Sequence, residues 1–583
     1  MTQPPTTLAG LRRAALRQSI RPVPLALNGL LLALLAVMLV LPVALVIGKG
    51  FSLAGRPSLY WLGRVLSNRV LMHQVLNSVV LACLTTLACL CVSLPLALLR
   101  SRTSFRGLGV LSVLLLVPMI LPPFVGALSM RKLFSQFGVV NLLLERLGVL
   151  DFSASPPPDY LGAGFAGVVA LQVLHLFPIL YLNASAALAN VDPAYAQAAR
   201  NLGAGPVRTF FGITLPLMRP GLFAGGTIVF IWSLTDVGTP LIVGYEHLTP
   251  VTIFKELARA ELEGRTFSLV FLMLGGAVSL YVLGKFVFGR GLPTEAAKAS
   301  VASQVRRLGP LGTLGAWVLF GGVIFLALLP HLGVVLLAVS NQWVNTVLPA
   351  GYTLEHLKFI ITRQTTYHSI TNSLAYAGAS TALDLLIGGV AAWLIVRTRV
   401  AGRLLLDAAA MLPLAVPGLI LAAGYVALTA AGPLAPYGPT RNPIPLLIVA
   451  YAVRRLPFVV RGVSAGLQQV SPSLEDAART LGSGPVGSVL RITLPLIAAN
   501  ILAAGVLTFA FAVLEVSDSL ILAQTRPVYP ITKMIYELAT STGAPETTNQ
   551  AAALGVYGMA FLAATMGLAG ALLGKRLGAI FRA

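Results

Sequence analysis

The sequence predicts an all-α polytopic membrane protein, with two homologous six-helix halves, about 12 transmembrane helices, related by a pseudo-two-fold axis along the membrane normal. Three observations predict this fold class. Hydrophobic residues fill 57% of the 583 positions and charged residues 10%, whereas soluble domains carry about a quarter charged residues. Apolar stretches recur along the whole chain, and one less hydrophobic segment occurs twice. These features exclude an ordinary soluble enzyme.

The apolar stretches predict the individual spans. A helix needs about 20 apolar residues to cross a hydrocarbon core of roughly 30 Å. Twelve stretches meet this requirement, near residues 24–48, 75–99, 108–130, 162–187, 217–243, 267–289, 313–339, 371–396, 404–430, 443–467, 496–523 and 550–574.

Basic side chains predict the orientation of these spans. They gather beside alternate spans, which by the positive-inside rule places both termini and the mid-chain linker in the cytoplasm of a cell (inner or plasma) membrane protein. Topology then accounts for much of the net charge of +22, and no nucleic acid partner is predicted. The groups are Arg12, Arg13, Arg17 and Arg21; Arg100, Arg102 and Arg106; Lys285, Arg290, Lys298, Arg306 and Arg307; Arg397, Arg399 and Arg403; Lys575, Arg576 and Arg582.

Cysteine usage predicts no metal site. The three cysteines, Cys83, Cys89 and Cys91, all lie in the second apolar stretch. This clustering favours packing in the membrane over a disulfide framework or a spaced set of metal ligands.

An internal repeat divides the chain. Residues 191–217 align without gaps with residues 470–496 at an offset of 279, and 15 of these 27 positions are identical. Upstream the halves align at an offset of 295. Both copies run in the same direction, which predicts parallel repeats with a pathway between them. The predicted domains are a first half at 1–290, a cytoplasmic linker at 291–312 and a second half at 313–583.

Each repeated segment begins with signals for a short helix. Asp192 and Ser471 are suitable N-caps, and each is followed by a proline in the first helical turn. Gly203 and Gly482 are suited to ending the helix. The repeated segments are therefore predicted to form helices outside the membrane.

The same segments resemble the "EAA" loop of binding-protein-dependent ATP-binding-cassette (ABC) permeases, which reads E-A-A, three residues, Gly, nine residues, Ile-x-Leu-Pro. The resemblance implies the type I importer permease fold and an ATPase subunit that docks on both segments. The acidic position departs from the pattern and is Gln197 in the first copy and Asp476 in the second. The docking residues implied are Gln197, Ala198, Ala199, Gly203, Glu475, Asp476, Ala477, Ala478 and Gly482.

Energy must then come from outside the chain. No phosphate-binding loop of the G-x-x-x-x-G-K-[ST] type occurs, so the chain is predicted not to be an enzyme and to hold no cofactor, with ATP and Mg²⁺ bound by the partner. The predicted complex contains one permease chain, two copies of a cytoplasmic ABC ATPase and an extracytoplasmic substrate-binding protein.

Three motifs bear on the cargo: Leu234-Thr-Asp236-Val-Gly-Thr-Pro240-Leu in one half, Leu514-Glu515-Val-Ser-Asp518-Ser-Leu in the other, and Tyr352-Thr-Leu-Glu355-His before the eighth span. Together with the fused length of the chain, they resemble the ferric iron permeases. The 279 offset places Asp236 opposite Glu515, and Asp518 adds a third carboxylate. Intramembrane carboxylates line pathways or form pairs, and oxygen ligands suit a hard cation such as Fe³⁺. Arg454 and Arg455 favour an anion instead, or neutralise these carboxylates.

Alternatives stay open at this stage. Related permeases for thiamine, polyamines, phosphonates or sugars share most of these motifs. A secondary transporter is also polytopic and repeated, but it has no need of two ATPase-docking segments.

Overall fold

The computed structural model describes residues 22–161, 164–259, 263–288, 306–414, 416–541 and 545–573. It confirms the all-α fold class. Within these residues, the helices that are long and apolar enough to cross a membrane include seven unbroken ones: Pro22–Gly50, Arg69–Arg102, Phe165–Ala189, Pro206–Thr235, Gly264–Gly284, Pro310–Val339 and Gln364–Arg397. Three bent pairs raise this number to 10: Leu108–Ile120 with Pro123–Arg146, Arg403–Leu414 with Gly418–Thr429, and Pro485–Leu496 with Ala498–Val513.

Two further predicted spans, 443–467 and 550–574, are helices at Ile444–Gln469 and Pro545–Leu573. Their 26 and 29 residues correspond to roughly 40 Å at 1.5 Å per residue, which exceeds the hydrocarbon thickness. The former contains Arg454, Arg455 and Arg461. The latter contains a single charged residue, Glu546.

The remaining elements are short. The helices are Tyr60–Ser67, Val139–Arg146, Pro193–Asn201, Gly238–Val243, Thr249–Ala258, Glu355–Thr362, Pro472–Thr480, Ser517–Leu522 and Ile531–Thr540, with single 3₁₀ turns at Val117–Ile120, Leu412–Leu414, Ala435–Tyr437 and Arg526–Val528. Strands Ser52–Leu53 and Arg56–Pro57 pair antiparallel, and Thr103–Ser104 pairs in parallel with Arg306–Arg307. Of the predicted linker at 291–312, residues 291–305 lie outside the described residues, as do the basic residues near both termini, and the helix of the seventh span begins at Pro310.

The third and ninth predicted spans are not single helices. They bend by 93° and 101° between their two segments, at Pro122 and Pro417, whose backbones are extended. A proline cannot donate the helical hydrogen bond and pushes the residue before it out of the helical region. Apolar content alone does not reveal such a bend.

The fifth and eleventh predicted spans end earlier than 243 and 523. The fifth stops at Thr235, because Asp236 is extended and its carboxylate accepts hydrogen bonds from the first amides of the next short helix. The eleventh bends by 73° at Ile497 and ends at Val513. Glu515 therefore lies between two helices, whereas Asp518 lies in the next one, Ser517–Leu522.

The first span of each half packs on the opposite half. In the first span, Asn28 Nδ2 donates to the Ala401 carbonyl at 3.1 Å, and the Met38 carbonyl accepts from Tyr425 Oη at 2.7 Å. In the seventh span, the Pro330 carbonyl accepts from Ser129 Oγ at 2.8 Å. Each first helix thus links the two halves, because it also packs on the last span of its own half, where Ser268 Oγ donates to the Gly50 carbonyl and Asn549 Nδ2 donates to the Ser340 carbonyl.

Candidate functional site

The two repeat helices, Pro193–Asn201 and Pro472–Thr480, begin as their sequences predict. In the first repeat helix, Asp192 Oδ1 accepts from Ala194 N at 2.8 Å. In the second, Ser471 Oγ accepts from Ser473 N at 3.3 Å. These N-caps satisfy amides that the helix itself leaves unbonded, because the first turn has no preceding carbonyls.

Both repeat helices end at a left-handed glycine. Gly203 has φ +82° and Gly482 has φ +88°, a conformation that side chains with a Cβ resist. No heavy atom lies within 4 Å of the position of a Cβ at either glycine. The glycines are therefore needed for their backbone conformation and not for close packing.

An exposed apolar surface extends from each repeat helix. Leu202 is 88% exposed and Leu481 is 90% exposed, and the 279 offset makes them equivalent positions. Their sequence neighbours complete a matching set in each half, namely Tyr195, Val207 and Phe211 in the first and Leu474, Val486 and Leu490 in the second. Leu202 and Leu481 precede the membrane helices that begin at Pro206 and Pro485, and exposed apolar side chains outside the membrane are typical of a protein interface.

One face of the second repeat helix turns inward. Glu475 and Ala478 are buried, at 4% and 7% exposure, so they do not belong to the exposed surface that the sequence predicted for them. They lie three residues apart and so share a helix face. The predicted docking residues that are exposed or half-buried are Gln197, Ala198, Ala199, Gly203, Asp476, Ala477 and Gly482.

Glu475 is bonded to the membrane helices of its own half. Its Oε1 accepts from Arg397 Nε at 3.0 Å and from Thr493 Oγ1 at 2.9 Å. Arg397 Nη2 also donates to the Val470 carbonyl at 2.7 Å. The Arg397 and Glu475 side chains are 8% and 5% exposed.

The first half lacks this carboxylate. Arg102 and Thr214, which correspond to Arg397 and Thr493, are still in contact, with Arg102 Nη2 donating to Thr214 Oγ1 at 3.1 Å. The position of Glu475, however, is Ala196. The two repeat helices therefore differ in how they are attached to the bundle.

Inside the second half, the predicted pathway carboxylates are paired with the predicted arginines. Glu515 forms ion pairs with both Arg454 and Arg455. Arg454 Nη1 also approaches Asp518 Oδ2 at 3.3 Å, and Arg455 Nη2 donates to the Phe511 carbonyl at 3.1 Å. Charges taken out of water require such partners.

In the first half, Asp236 is held by neutral groups. Its Oδ1 accepts from Gly238 N at 3.1 Å and Thr239 N at 3.3 Å, and its Oδ2 accepts from Gln172 Nε2 at 3.1 Å. Gln172 is itself fixed, because its Oε1 accepts from Ser233 Oγ at 2.5 Å. Asp236 therefore stabilises the break between two helices.

The two equivalent breaks meet between the halves. A Cβ on Gly238 would lie 2.9 Å from Phe124 Cβ and 3.2 Å from Val516 Cγ1. The segment that follows Asp236 thus touches the segment that contains Glu515, as expected for breaks related by the pseudo-two-fold axis. Within the described residues, no group of three or more His, Cys, Asp or Glu side chains is arranged to hold a metal ion.

Comparison with known proteins decides the family. The sequence profile described as "Binding-protein-dependent transport system inner membrane component" matches residues 50–288 and 384–582, which together make up most of the chain and include both repeat helices. This chain belongs to that permease family. Permeases of this kind work with an ATPase and a substrate-binding protein.

Individual relatives agree with the family. The putative ferric transport system permease protein FbpB 1 of Haemophilus influenzae is 28% identical over 80% of this chain and 73% of its own length. The ferric transport system permease protein FbpB of Actinobacillus pleuropneumoniae is 27% identical over 79% of this chain and 66% of its own. A probable molybdenum ABC transporter permease protein of Haloferax volcanii is 33% identical over 37% of this chain and 76% of its own.

Sequence reasoning about this permease missed the most exposed residues of the repeat helices. Leu202 and Leu481 were not predicted to contact a partner, although both directly precede a helix-ending glycine. An apolar residue that the internal repeat keeps at such a position, outside any membrane span, was the signal available in the sequence.

Proposed function

We propose that this permease forms the transmembrane pathway of an ATP-driven importer for ferric iron, working by alternating access. The similarity to ferric transport permeases over 80% of the chain carries the choice of cargo. The paired breaks near Asp236 and Glu515, where the halves meet, are the proposed position of the pathway.

The proposed pathway does not present bare carboxylates to the cargo. Glu515 and Asp518 are neutralised by Arg454 and Arg455, while Asp236 is bonded to amides. These residues are proposed to stabilise the constriction between the halves, and the paired arginines keep its net charge small. Such a constriction must separate for the cargo to pass.

The exposed apolar surfaces around Leu202 and Leu481 are the proposed docking sites for two copies of a cytoplasmic ABC ATPase. Burying a leucine stabilises an interface by roughly 1.5–3 kcal/mol. ATP and Mg²⁺ belong to that ATPase, and the permease itself is proposed to hold no cofactor and to catalyse no reaction. With these docking sites in the cytoplasm, both termini are proposed to lie there too, as the positive-inside rule predicts, with the substrate-binding protein on the other side.

The docking surface is tested by Leu481→Gln and Leu202→Gln. Both changes keep side-chain size and helix propensity, so the permease remains folded while less ATPase is retained on an affinity-tagged permease. Tyr352→Ser is the control, because Tyr352 is 64% exposed on the loop after the seventh span, at the opposite end of the bundle. Full ATPase retention by both leucine variants contradicts this docking site.

The cargo is tested by uptake into vesicles that contain the full complex with its ATPase and binding protein. Fe³⁺ uptake that depends on ATP supports the proposal. Thiamine, spermidine, aminoethylphosphonate and molybdate serve as competing cargoes, the last because of the Haloferax volcanii relative. ATP-dependent uptake of one of these, without Fe³⁺ uptake, contradicts iron as the cargo.

A further inference from the structure

Glu475 joins four separate parts of the second half. Its bonds reach Arg397, the last residue of the eighth span, and Thr493, at the start of the eleventh span. Through Arg397 they also reach the Val470 carbonyl, which follows the tenth span. The second repeat helix is therefore attached to three membrane helices by one buried carboxylate.

This attachment is stiffer than packing alone. The Arg397 and Glu475 hydrogen bond is charge-assisted, and such bonds are roughly twice as strong as neutral ones. Both side chains are almost fully buried, so water cannot easily replace either partner. Separating the second repeat helix from the bundle would leave two buried charges without a partner, which is costly.

The first repeat helix has no equivalent attachment. Arg102 and Thr214 contact each other without a carboxylate between them, and Ala196 has no side chain that can accept a hydrogen bond. The same movement of the two repeat helices would therefore be transmitted more directly to the second half than to the first half.

We propose that Glu475 is a positioning residue that makes the second repeat helix a rigid joint, so that movement of the ATPase drives the second half directly and the first half through a looser contact. The inference rests on the proposed docking of the ATPase to both repeat helices. It concerns the coupling of hydrolysis to transport, and it is independent of which cargo is carried.

Glu475→Gln tests the joint in the complete complex, because it removes the charge and keeps the shape. We measure ATP hydrolysed per cargo molecule imported. We expect this ratio to rise by about fivefold, the lower end of typical coupling effects between sites, while ATPase retention stays near wild type. Tm falls as well, because buried Arg397 loses its charged partner, so the ratio is the deciding measurement. A purely structural role predicts lost stability with an unchanged ratio.

Asp407→Asn is the matched control for lost charge. Asp407 also pairs with an arginine in the second half, Arg461, at 3.6 Å, but the arginine side chain is 60% exposed. We expect the Asp407→Asn complex to hydrolyse as much ATP per imported cargo molecule as the wild type. If Glu475→Gln gives the same ratio as Asp407→Asn, the rigid joint is refuted.

Ala196→Glu provides a gain of function that does not depend on the stability of the first variant. It places a carboxylate beside Arg102 and Thr214, which already stand where Arg397 and Thr493 stand in the second half. We expect it to lower the hydrolysis that occurs without cargo, and to restore part of the coupling to Glu475→Gln. Unchanged cargo-free hydrolysis in Ala196→Glu overturns the proposal, whether or not Glu475→Gln assembles.

The wild-type complex separates this inference from the proposed function. If it shows no ATP-driven uptake of any cargo tested, the proposed function fails. If the wild-type complex transports cargo and the variants hydrolyse the same amount of ATP per imported cargo molecule, only the proposed rigid joint at Glu475 is refuted.

Discussion

At the level of single residues, the buried carboxylates of the two halves are stabilised by different partners. Glu515 is held by two arginines, whereas the equivalent Asp236 is held by two backbone amides and Gln172. The positions that correspond to Arg454 and Arg455 are His175 and Leu176. The second half therefore depends on charge compensation and the first half on neutral hydrogen bonds.

This difference predicts unequal effects of the two amide substitutions on stability. Glu515→Gln leaves two buried arginines with too little negative charge, a loss of about 3–5 kcal/mol. Asp236→Asn keeps an acceptor for the backbone amides and loses the bond from Gln172, at about 1–3 kcal/mol. Thermal unfolding of the purified permease measures both. An equal or larger decrease in Tm for Asp236→Asn contradicts this assignment.

At the level of elements, much of the fold was predictable because apolar length and the internal repeat are properties of the sequence itself. The ends of the repeat helices were also predictable, since Asp192, Ser471 and the glycines act on their own neighbours. Bends at Pro122 and Pro417 were not, because average hydropathy ignores a missing amide donor.

The sequence likewise does not show that the Glu475 side chain points into the bundle. Glu475 and Asp476 are adjacent acidic residues, and neighbours on a helix point about 100° apart. Only the position of Arg397, 78 residues away in sequence, decides which of them is buried. Asp476 remains exposed, beside Arg479 at 3.4 Å.

Substitutions of the helix-ending glycines test the repeat helices as elements. Gly203→Ala or Gly482→Ala forces a Cβ into the left-handed region, at about 1–2 kcal/mol, and so shifts the exposed leucine beside it. We expect reduced ATPase retention, most for Gly482→Ala. The Asn variants are the control, because asparagine tolerates this conformation. If Asn and Ala reduce retention equally, the backbone explanation is wrong.

At the level of the whole molecule, the family, the two repeat helices and the contacts of each first span with the opposite half support the proposed role, in which movement at the surface separates the two halves. A subunit with this role is expected to have no turnover of its own. The purified permease alone should hydrolyse no ATP, and hydrolysis should appear only with the ATPase and rise with loaded binding protein. ATP hydrolysis by the highly purified chain alone contradicts this division of labour.

The contact of the first span with the opposite half also bears on biogenesis. Synthesis proceeds from the N-terminus, and domains generally fold in that order. Here, however, Asn28 in the first span finds its acceptor only at Ala401, and Tyr425 supplies the donor for Met38. The end of the first span can pack within its own half, where Gly50 accepts from Ser268 Oγ, but the contacts of Asn28 and Met38 form only after most of the second half has been translated. A truncated chain that ends in the linker is therefore expected to be a substrate for membrane quality control.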